Sequence, residues 1–430
     1  MGELSDETTR EVRTQYENYP YPERKPADEA RRLCKPVLAS LEVMNHYCFK
    51  GRRDFREGFS ALVAGGGTGD ATIWLAEQLK GTDARIVHLD ISAASTDIAK
   101  ARAEVRGLAN ITWVHGSLLE APQMDLGTFD YVNCNGVLHH LVDPPAGLAA
   151  LRAVLADDGC MGIMVYGQYG RTGVYQMQRL MRLINAAGDD RQQMVDNTRA
   201  VLKDLPAANW FKRGEDLFDD HIEPSGIGLY DLLLHSQDRA YTVEQLYELL
   251  GSSGLHVVKF IALSRVHYKP EYFLTDTALL ERIAAMGLPR QQAVGELLSG
   301  QIIKHSCFVS PLTDTVADID DDENIPLFTP EVREGFRGIL DRPTWSIQAP
   351  PLPPLSIKPG KFARAAFTLM DGTRSIGRIV AQVREQFSNG PTVEEILVQF
   401  TTVFEALREW GDVVVLRHPD SGQLLRPEIR

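Results

Sequence analysis

The chain has 430 residues, 44% hydrophobic and 24% charged, a balance that excludes a wholly disordered or membrane-embedded protein and suits about two or three globular domains. Its formal net charge of −13 repels phosphate backbones, so nucleic acid is not favoured as a partner. Five cysteines, Cys34, Cys48, Cys134, Cys160 and Cys307, form no C-x-x-C pair, so neither a disulfide framework nor a zinc site is indicated and a reducing compartment is expected.

The first residues, MGELSDETTREVRTQYENYPYP, lack the apolar stretch of a signal peptide, and Asp6 stands where a myristoylation signal wants Ser or Thr. No apolar run reaches the length of a membrane span, so no membrane partner is expected and the cytoplasm is the expected location. Residues 1–57 read as a charged, proline-interrupted arm. Within it, the run from Tyr16 through Tyr19, Pro20, Tyr21 and Pro22 holds tyrosines fixed by prolines, and reads either as a lid over a bound cofactor or as a surface arm. Lys50, Arg52, Arg53 and Arg56 either draw in an acidic acceptor or form a solvated face.

Residues 58–166 alternate short apolar runs with helical patterns. ALVAG (61–65), ARIVHLD (84–90), ITWVHG (111–116), FDYVNCN (129–135) and CMGIMVYG (160–167) read as buried strands. ATIWLAEQL (71–79) and PAGLAALRAVL (145–155) read as helices, the second started by Asp143 as N-cap and Pro144 in the first turn. Strands and helices alternating at this spacing predict a mostly parallel sheet covered on both faces. Residues 171–240 read as a helical cap inserted in a domain spanning 58–310. Thr242 with Gln245 forms a capping box, and Gly254 closes the helix. Two late strands, 255–263 and 302–310, are expected to add an antiparallel edge.

Residues 311–354 read as linker, with the acid run DIDDDE (318–323) and the proline-rich stretch beginning at Arg342. Order returns in a small module, residues 355–430. Ile376, Ile379, Val380, Val383 and Phe387 form one helical stripe, and Thr392 with Glu395 caps a second helix ended by Gly411. Residues 412–425 read as a hairpin.

The most informative segment is ALVAGGGTGDAT, where a strand runs directly into Gly65, Gly66, Gly67, Thr68 and Gly69 before a helix. Glycines let a ligand approach main-chain N–H groups, and the helix N-terminus suits a carboxylate or phosphate. Asp90 ends the next strand, where an acidic side chain accepts from both hydroxyls of a ribose. A dinucleotide fingerprint needs Gly or Ala where this chain has Asp70 or Thr72, which disfavours an NAD-dependent oxidoreductase.

LVAGGGTGD, HLD (88–90), HGSLLE (115–120) and FDYVNCNGVLHHLVDP (129–144) together resemble the ordered motifs of class I S-adenosylmethionine (SAM)-dependent methyltransferases. The resemblance implies a Rossmann-like α/β fold with a seven-stranded, mostly parallel sheet. It implies SAM as cofactor, held by Gly65 to Gly69, Asp90, Ile91, Gly116, Ser117, Leu118, Asn135 and Gly136, with Tyr21 as part of the lid. Two positions depart from the family pattern: Val63 replaces an acidic residue before the glycines, and Ser117 replaces an aspartate beside the adenine.

Methyl transfer from a sulfonium needs alignment and exclusion of water more than a catalytic triad or a metal. His139 and His140, at the carboxyl edge of the fourth strand, are the nearest base candidates, with packing as the other role for His139. Tyr166, Tyr169, Arg171, Tyr230 and His235 are the acceptor-binding candidates, with His221, Glu223, Asp231 and Arg239 also in the cap. Asp231 and His235 at i,i+4 are expected on one helix face, and without a third ligand no metal site is assigned. LMDGTRSIGRIVAQV in the tail resembles peptide-binding winged-helix domains of peptide-modifying systems, with oligomerisation or packing as the other role. The expected function is transfer of a methyl group to an O or N atom of a small-molecule, peptide or protein acceptor. The alternative is a catalytically silent scaffold that binds a partner through the tail.

Overall fold

The computed structural model describes residues 12–422 apart from 187, 262–264, 330–334, 337, 349–353 and 389. After a first helix α1 (residues 12–18) and a second, α2 (Leu41–Cys48), strands and helices alternate. They run β1 (Ser60–Ala64), α3 (Asp70–Gln78), β2 (Arg85–Asp90), α4 (Ala93–Arg106), β3 (Ile111–His115), β4 (Phe129–Asn135), α5 (Pro144–Ala153) and β5 (Leu155–Gly167). The cap carries α6 (Thr172–Ile184), α7 (Arg191–Lys203), α8 (Trp210–Gly214) and α9 (Ile227–Leu233). Then come β6 (Ala240–Tyr241), α10 (Val243–Gly251), β7 (His256–Phe260), α11 (Thr277–Ala284), α12 (Leu288–Ser299) and β8 (Lys304–Ser310).

The strands form one sheet in the order β3-β2-β1-β4-β5-β8-β7. The first five are parallel, and β8 runs antiparallel to both β5 and β7. That is the antiparallel edge expected from the two late apolar runs. The sheet has eight strands rather than seven, because Ala240 and Tyr241 pair parallel with Tyr166 and Gly167. A two-residue strand has too little periodicity to be visible in sequence.

Alternation along β1 splits the core between the two faces of the sheet. Leu62 and Ala64 pack with Leu148 and Leu151 of α5 and Leu246 and Leu250 of α10. Ala61 and Val63 pack on the opposite side with Met44 and Tyr47 of α2 and Trp74 and Leu75 of α3. The helix starts form as their caps dictate. The Asp143 carboxylate accepts from Ala146 N–H, and the capping boxes at Thr242–Gln245 and Thr392–Glu395 are both complete.

Several expectations need correction. The segment 1–57 is not an arm throughout, because Leu41, Val43, Met44 and Tyr47 of α2 are buried in the sheet's core. Its basic stretch, read either as an acceptor lure or as a solvated face, is a partly exposed face of ion pairs: Lys50 with Asp314, Arg52 with Asp321 and Asp420, Arg53 with Asp130, and Arg56 with Asp54. Cys48, ending α2, and Cys160, in β5, form a disulfide that no spacing pattern announced, since the two lie 112 positions apart.

The stretch 311–354 is not simple linker. It holds β9 (Ile325–Phe328), buried at all four positions, and β10 (Trp345–Ile347), which pairs antiparallel with β11 (Leu355–Ile357). Tail residues 412–425 do not fold back as a hairpin. β12 (Val414–Arg417) pairs antiparallel with β9 instead, and 423–425 lie outside the described residues. Around these strands, helices Lys361–Leu369, Ile376–Gln386 and Val393–Gly411 enclose a separate core with Trp345, Phe367, Phe400 and Phe404 at its centre. The predicted apolar stripe of Ile376, Ile379, Val380 and Val383 is buried there. The wing hairpin that a winged-helix module requires is not formed among the described residues of the tail.

Candidate functional site

Strands β1, β2, β4 and β5 end on one cavity of 830 Å³, a size typical of small-molecule sites, which run roughly 300–1,000 Å³. The glycine loop leaves β1 and forms its floor. Gly65 and Gly67 adopt left-handed backbone (φ +69° and +53°), which side chains resist. The N–H groups of Gly65 and Gly66 both donate to Leu89 O, at 2.8 and 3.2 Å, folding the loop back onto β2. Gly67 N–H donates to Asp90 Oδ2 and Ser92 N–H to Oδ1, both at 2.7 Å.

Asp90 is therefore fixed by one main-chain donor on each oxygen, and it lines the cavity while only 7% exposed. Burial pushes its carboxyl up, and the two backbone hydrogen bonds oppose that shift. A carboxylate has about four lone-pair sites, so two remain for a ligand diol. Ile91, Gly116, Ser117, Leu118, Asn135 and Gly136 line the same cavity. Ser117 also caps a short 3₁₀ turn, its hydroxyl accepting from Leu119 N–H. Thr68 and Gly69 do not form part of the wall. The Thr68 hydroxyl donates to Pro22 O at 2.8 Å, and Gly69 makes the left-handed entry to α3. Val63 lines the cavity without offering a charge.

These groups suit an adenosyl ligand: a carboxylate for the ribose, Leu89, Leu118, Val137, Leu141 and Met164 for the base, and the N-terminus of α3 for an amino-acid carboxylate.

The N-terminal arm forms the opposite wall through Tyr16 and Tyr21. Three sets of contacts pin it. Glu17 accepts from Ala93 and Ala94 N–H, at 2.8 and 3.0 Å, at the start of α4. Arg24 makes a two-pronged pair with Asp70, at 2.9 and 2.7 Å. Fully buried Arg102 joins Glu29 of the arm to Asp70 of α3, at 2.7 and 2.8 Å.

The far end of the cavity is built by β5 and the cap. Tyr166, Arg171, Phe218, Asp220 and Asp231 line it. The Tyr16 hydroxyl lies 3.2 Å from Asp231 Oδ1 and 3.3 Å from His235 Nε2. Tyr166 donates to Asp231 Oδ2 at 3.5 Å and Tyr21 to Asp220 Oδ1 at 2.7 Å. Burial, with Asp220 and Asp238 nearby, pushes the Asp231 carboxyl up to about 7. Arg171 is held by Asp238 at 3.3 Å and lies 3.6 Å over the Tyr166 ring.

The histidines divide. His140 lines the cavity, donates from Nδ1 to Gln237 O at 2.8 Å, since a carbonyl can only accept, and stacks on His235 at 4.0 Å. His139 does not reach the cavity. It is fully buried behind Tyr166, ring centroids 3.8 Å apart, and burial drives its pKa well down, so it stays neutral. Tyr169 is 38% exposed, and Tyr230 stacks on Tyr19 away from the cavity wall. His235 packs behind the wall. It does not share a helix with Asp231, because α9 ends at Leu233, yet both meet the Tyr16 hydroxyl. His221, Glu223 and Arg239 are not among the lining residues, whereas Phe218, Asp220, Ile303 and Lys304, which carried no motif, are.

Residues 62–161 match the family model described as a methyltransferase domain. The match covers less than a quarter of the chain, and it spans the glycine loop, Asp90 and Asn135. The chain is also similar to an uncharacterised protein of Synechococcus sp., 34% identical over 257 residues, 58% of this chain and 60% of that one. A demethylmenaquinone methyltransferase of Geobacillus stearothermophilus is 31% identical over 108 residues, 25% of this chain and 45% of the relative. The chain thus spans less than two thirds of the curated relatives it matches. Among solved structures, PKMT2 from Rickettsia typhi in complex with AdoHcy superposes with a TM-score of 0.62 over 90% of this chain and 76% of that one. At 14% identity that likeness speaks for the fold.

Proposed function

We propose that this protein is a SAM-dependent methyltransferase that methylates an O or N atom of a small-molecule, peptide or protein acceptor. The single observation that carries the reading is Asp90, fixed by Gly67 and Ser92 beside a left-handed glycine loop inside the methyltransferase domain. SAM supplies a methyl group on a positively charged sulfur, ready for direct displacement. The chain's own part is to bind, orient and keep out water. Asp90 takes the ribose diol, the Gly65–Gly67 loop takes the methionine portion, and Leu118 and Leu141 bracket the base. Tyr16 and Tyr21 close the arm over the cavity. Tyr166 of β5 and the cap residues Arg171 and Asp231 face the acceptor. His139 shapes the wall from behind Tyr166 rather than moving a proton, and His140 is placed in the wall by Gln237.

The scaffold alternative has no feature of the cavity in its favour, because loop, carboxylate and enclosed acceptor end all occur together. The tail's part, whether peptide binding or packing, is secondary to that site. Labelled-methyl transfer from SAM into a size-fractionated lysate tests the reading. The expected result is label in a discrete fraction with the wild type and none with Asp90→Ala. Equal labelling by both proteins contradicts it.

A further inference from the structure

We propose that the acceptor is an aliphatic amine, entering as its ammonium ion between Asp220 and Asp231, and that Asp231 accepts the proton that frees the nitrogen lone pair. This rests on the methyltransferase reading and narrows its acceptor.

Two carboxylates and four aromatic rings meet at the cap end of the cavity: Asp220, Asp231, Tyr16, Tyr21, Tyr166 and Phe218. The phenol hydroxyls are committed to the carboxylates, Tyr16 and Tyr166 to Asp231 and Tyr21 to Asp220. Ring faces and carboxylates together attract a cation. The neighbouring cations do not cancel this field. Arg171 is paired with Asp238 and stacked on Tyr166, and Lys304 is exposed at the rim. The groups facing Asp231 are Tyr16 and Tyr21 from the arm, Tyr166 from β5, Arg171 leading into α6, and Asp220, His235 and Asp238 from the cap.

The chemistry separates amines from hydroxyls. An alkylammonium, with a pKa of ~10.4, has no free lone pair until one proton leaves. Losing it yields a neutral amine, which a negative pocket tolerates. A hydroxyl acceptor losing its proton to Asp231 would yield an oxyanion facing Asp220, which that field opposes. In the proposed step an N–H proton passes to an Asp231 oxygen. The nitrogen lone pair then forms the N–C bond to the methyl carbon, while the pair of the breaking C–S bond stays on sulfur as a neutral thioether. A buried carboxyl pushed up to about 7 is a stronger proton acceptor than an ordinary aspartate.

The test is calorimetry on the full chain saturated with S-adenosylhomocysteine, using n-butylammonium and n-butanol as probes. For the wild type the expected result is butylammonium binding at least roughly tenfold tighter than butanol at pH 8, rising as pH passes 7. Asp231→Asn and Asp220→Asn should each lose about tenfold or more for butylammonium, and Asp231→Asn should lose the rise with pH, while S-adenosylhomocysteine affinity stays within about twofold. If Asp231→Asn fails to fold, Asp220→Asn carries the comparison. Equal binding of the two probes, or unchanged amine affinity in the variants, overturns this proposal alone. No binding of S-adenosylhomocysteine by the wild type overturns the parent reading with it.

Discussion

Two of the aspartates that line the cavity sit in different surroundings. Asp90 has a main-chain donor on each oxygen, and Asp231 sits among other carboxylates. The consequence of the second falls on stability. Its folded pKa is raised to about 7, above the ordinary aspartate value. The stability it contributes is therefore complete below the unfolded pKa, near ~3.9, and is lost as pH rises through 7. Asp231→Asn should match the wild type in denaturant midpoint at pH 4 and exceed it at pH 8, by up to about 4 kcal/mol. A gap that does not change between those pH values contradicts the assignment. Asp90 was legible from its place at the end of the second strand. Asp220 was not, because an acid in a three-residue 3₁₀ turn has no periodicity to mark it and only the fold brings it to Tyr21. His139 was expected in the site from its position after the fourth strand, but its burial behind Tyr166 is a packing outcome that spacing does not encode.

At the scale of elements, the arm and helices α3 and α4 are held together by charge. Arg102 is fully buried between Glu29 and Asp70. Glu29 keeps Arg106 and Asp70 keeps Arg24 when Arg102 is removed, so the loss is that of buried charge-assisted hydrogen bonds, and Arg102→Ala should cost about 1–3 kcal/mol in urea unfolding. A cost below about 1 kcal/mol contradicts the burial argument, since that is the range of an exposed pair. Arg24 is partly exposed and holds only the arm. Arg24→Ala should change stability little, by about 1 kcal/mol or less, and weaken SAM binding several-fold as the lid loosens. The strands, the caps at Asp143 and Thr242, and the helical insertion were readable because period and cap chemistry are local. The disulfide of Cys48 with Cys160 and the pairing of β9 with β12 were not, because both join segments far apart in the chain.

The whole molecule is tied together from the tail to the sheet. Tyr47 of α2 donates to Asp412 at 2.5 Å, and Leu416 N–H to His46 Nδ1 at 3.2 Å. Glu409 pairs with Lys259 and Lys269, which hold its carboxyl down at about 2. Tyr47→Phe should lower stability by about 1–3 kcal/mol in one cooperative transition, followed by tryptophan fluorescence and circular dichroism together. Two separate transitions would contradict the joining of tail and sheet. The central claim is that the glycine loop and Asp90 bind SAM, and titration calorimetry with S-adenosylhomocysteine tests it most directly. One site per chain, and a loss of roughly tenfold to a hundredfold in affinity for Asp90→Ala with its melting temperature retained, is the predicted result. Unchanged affinity in a folded Asp90→Ala would contradict it.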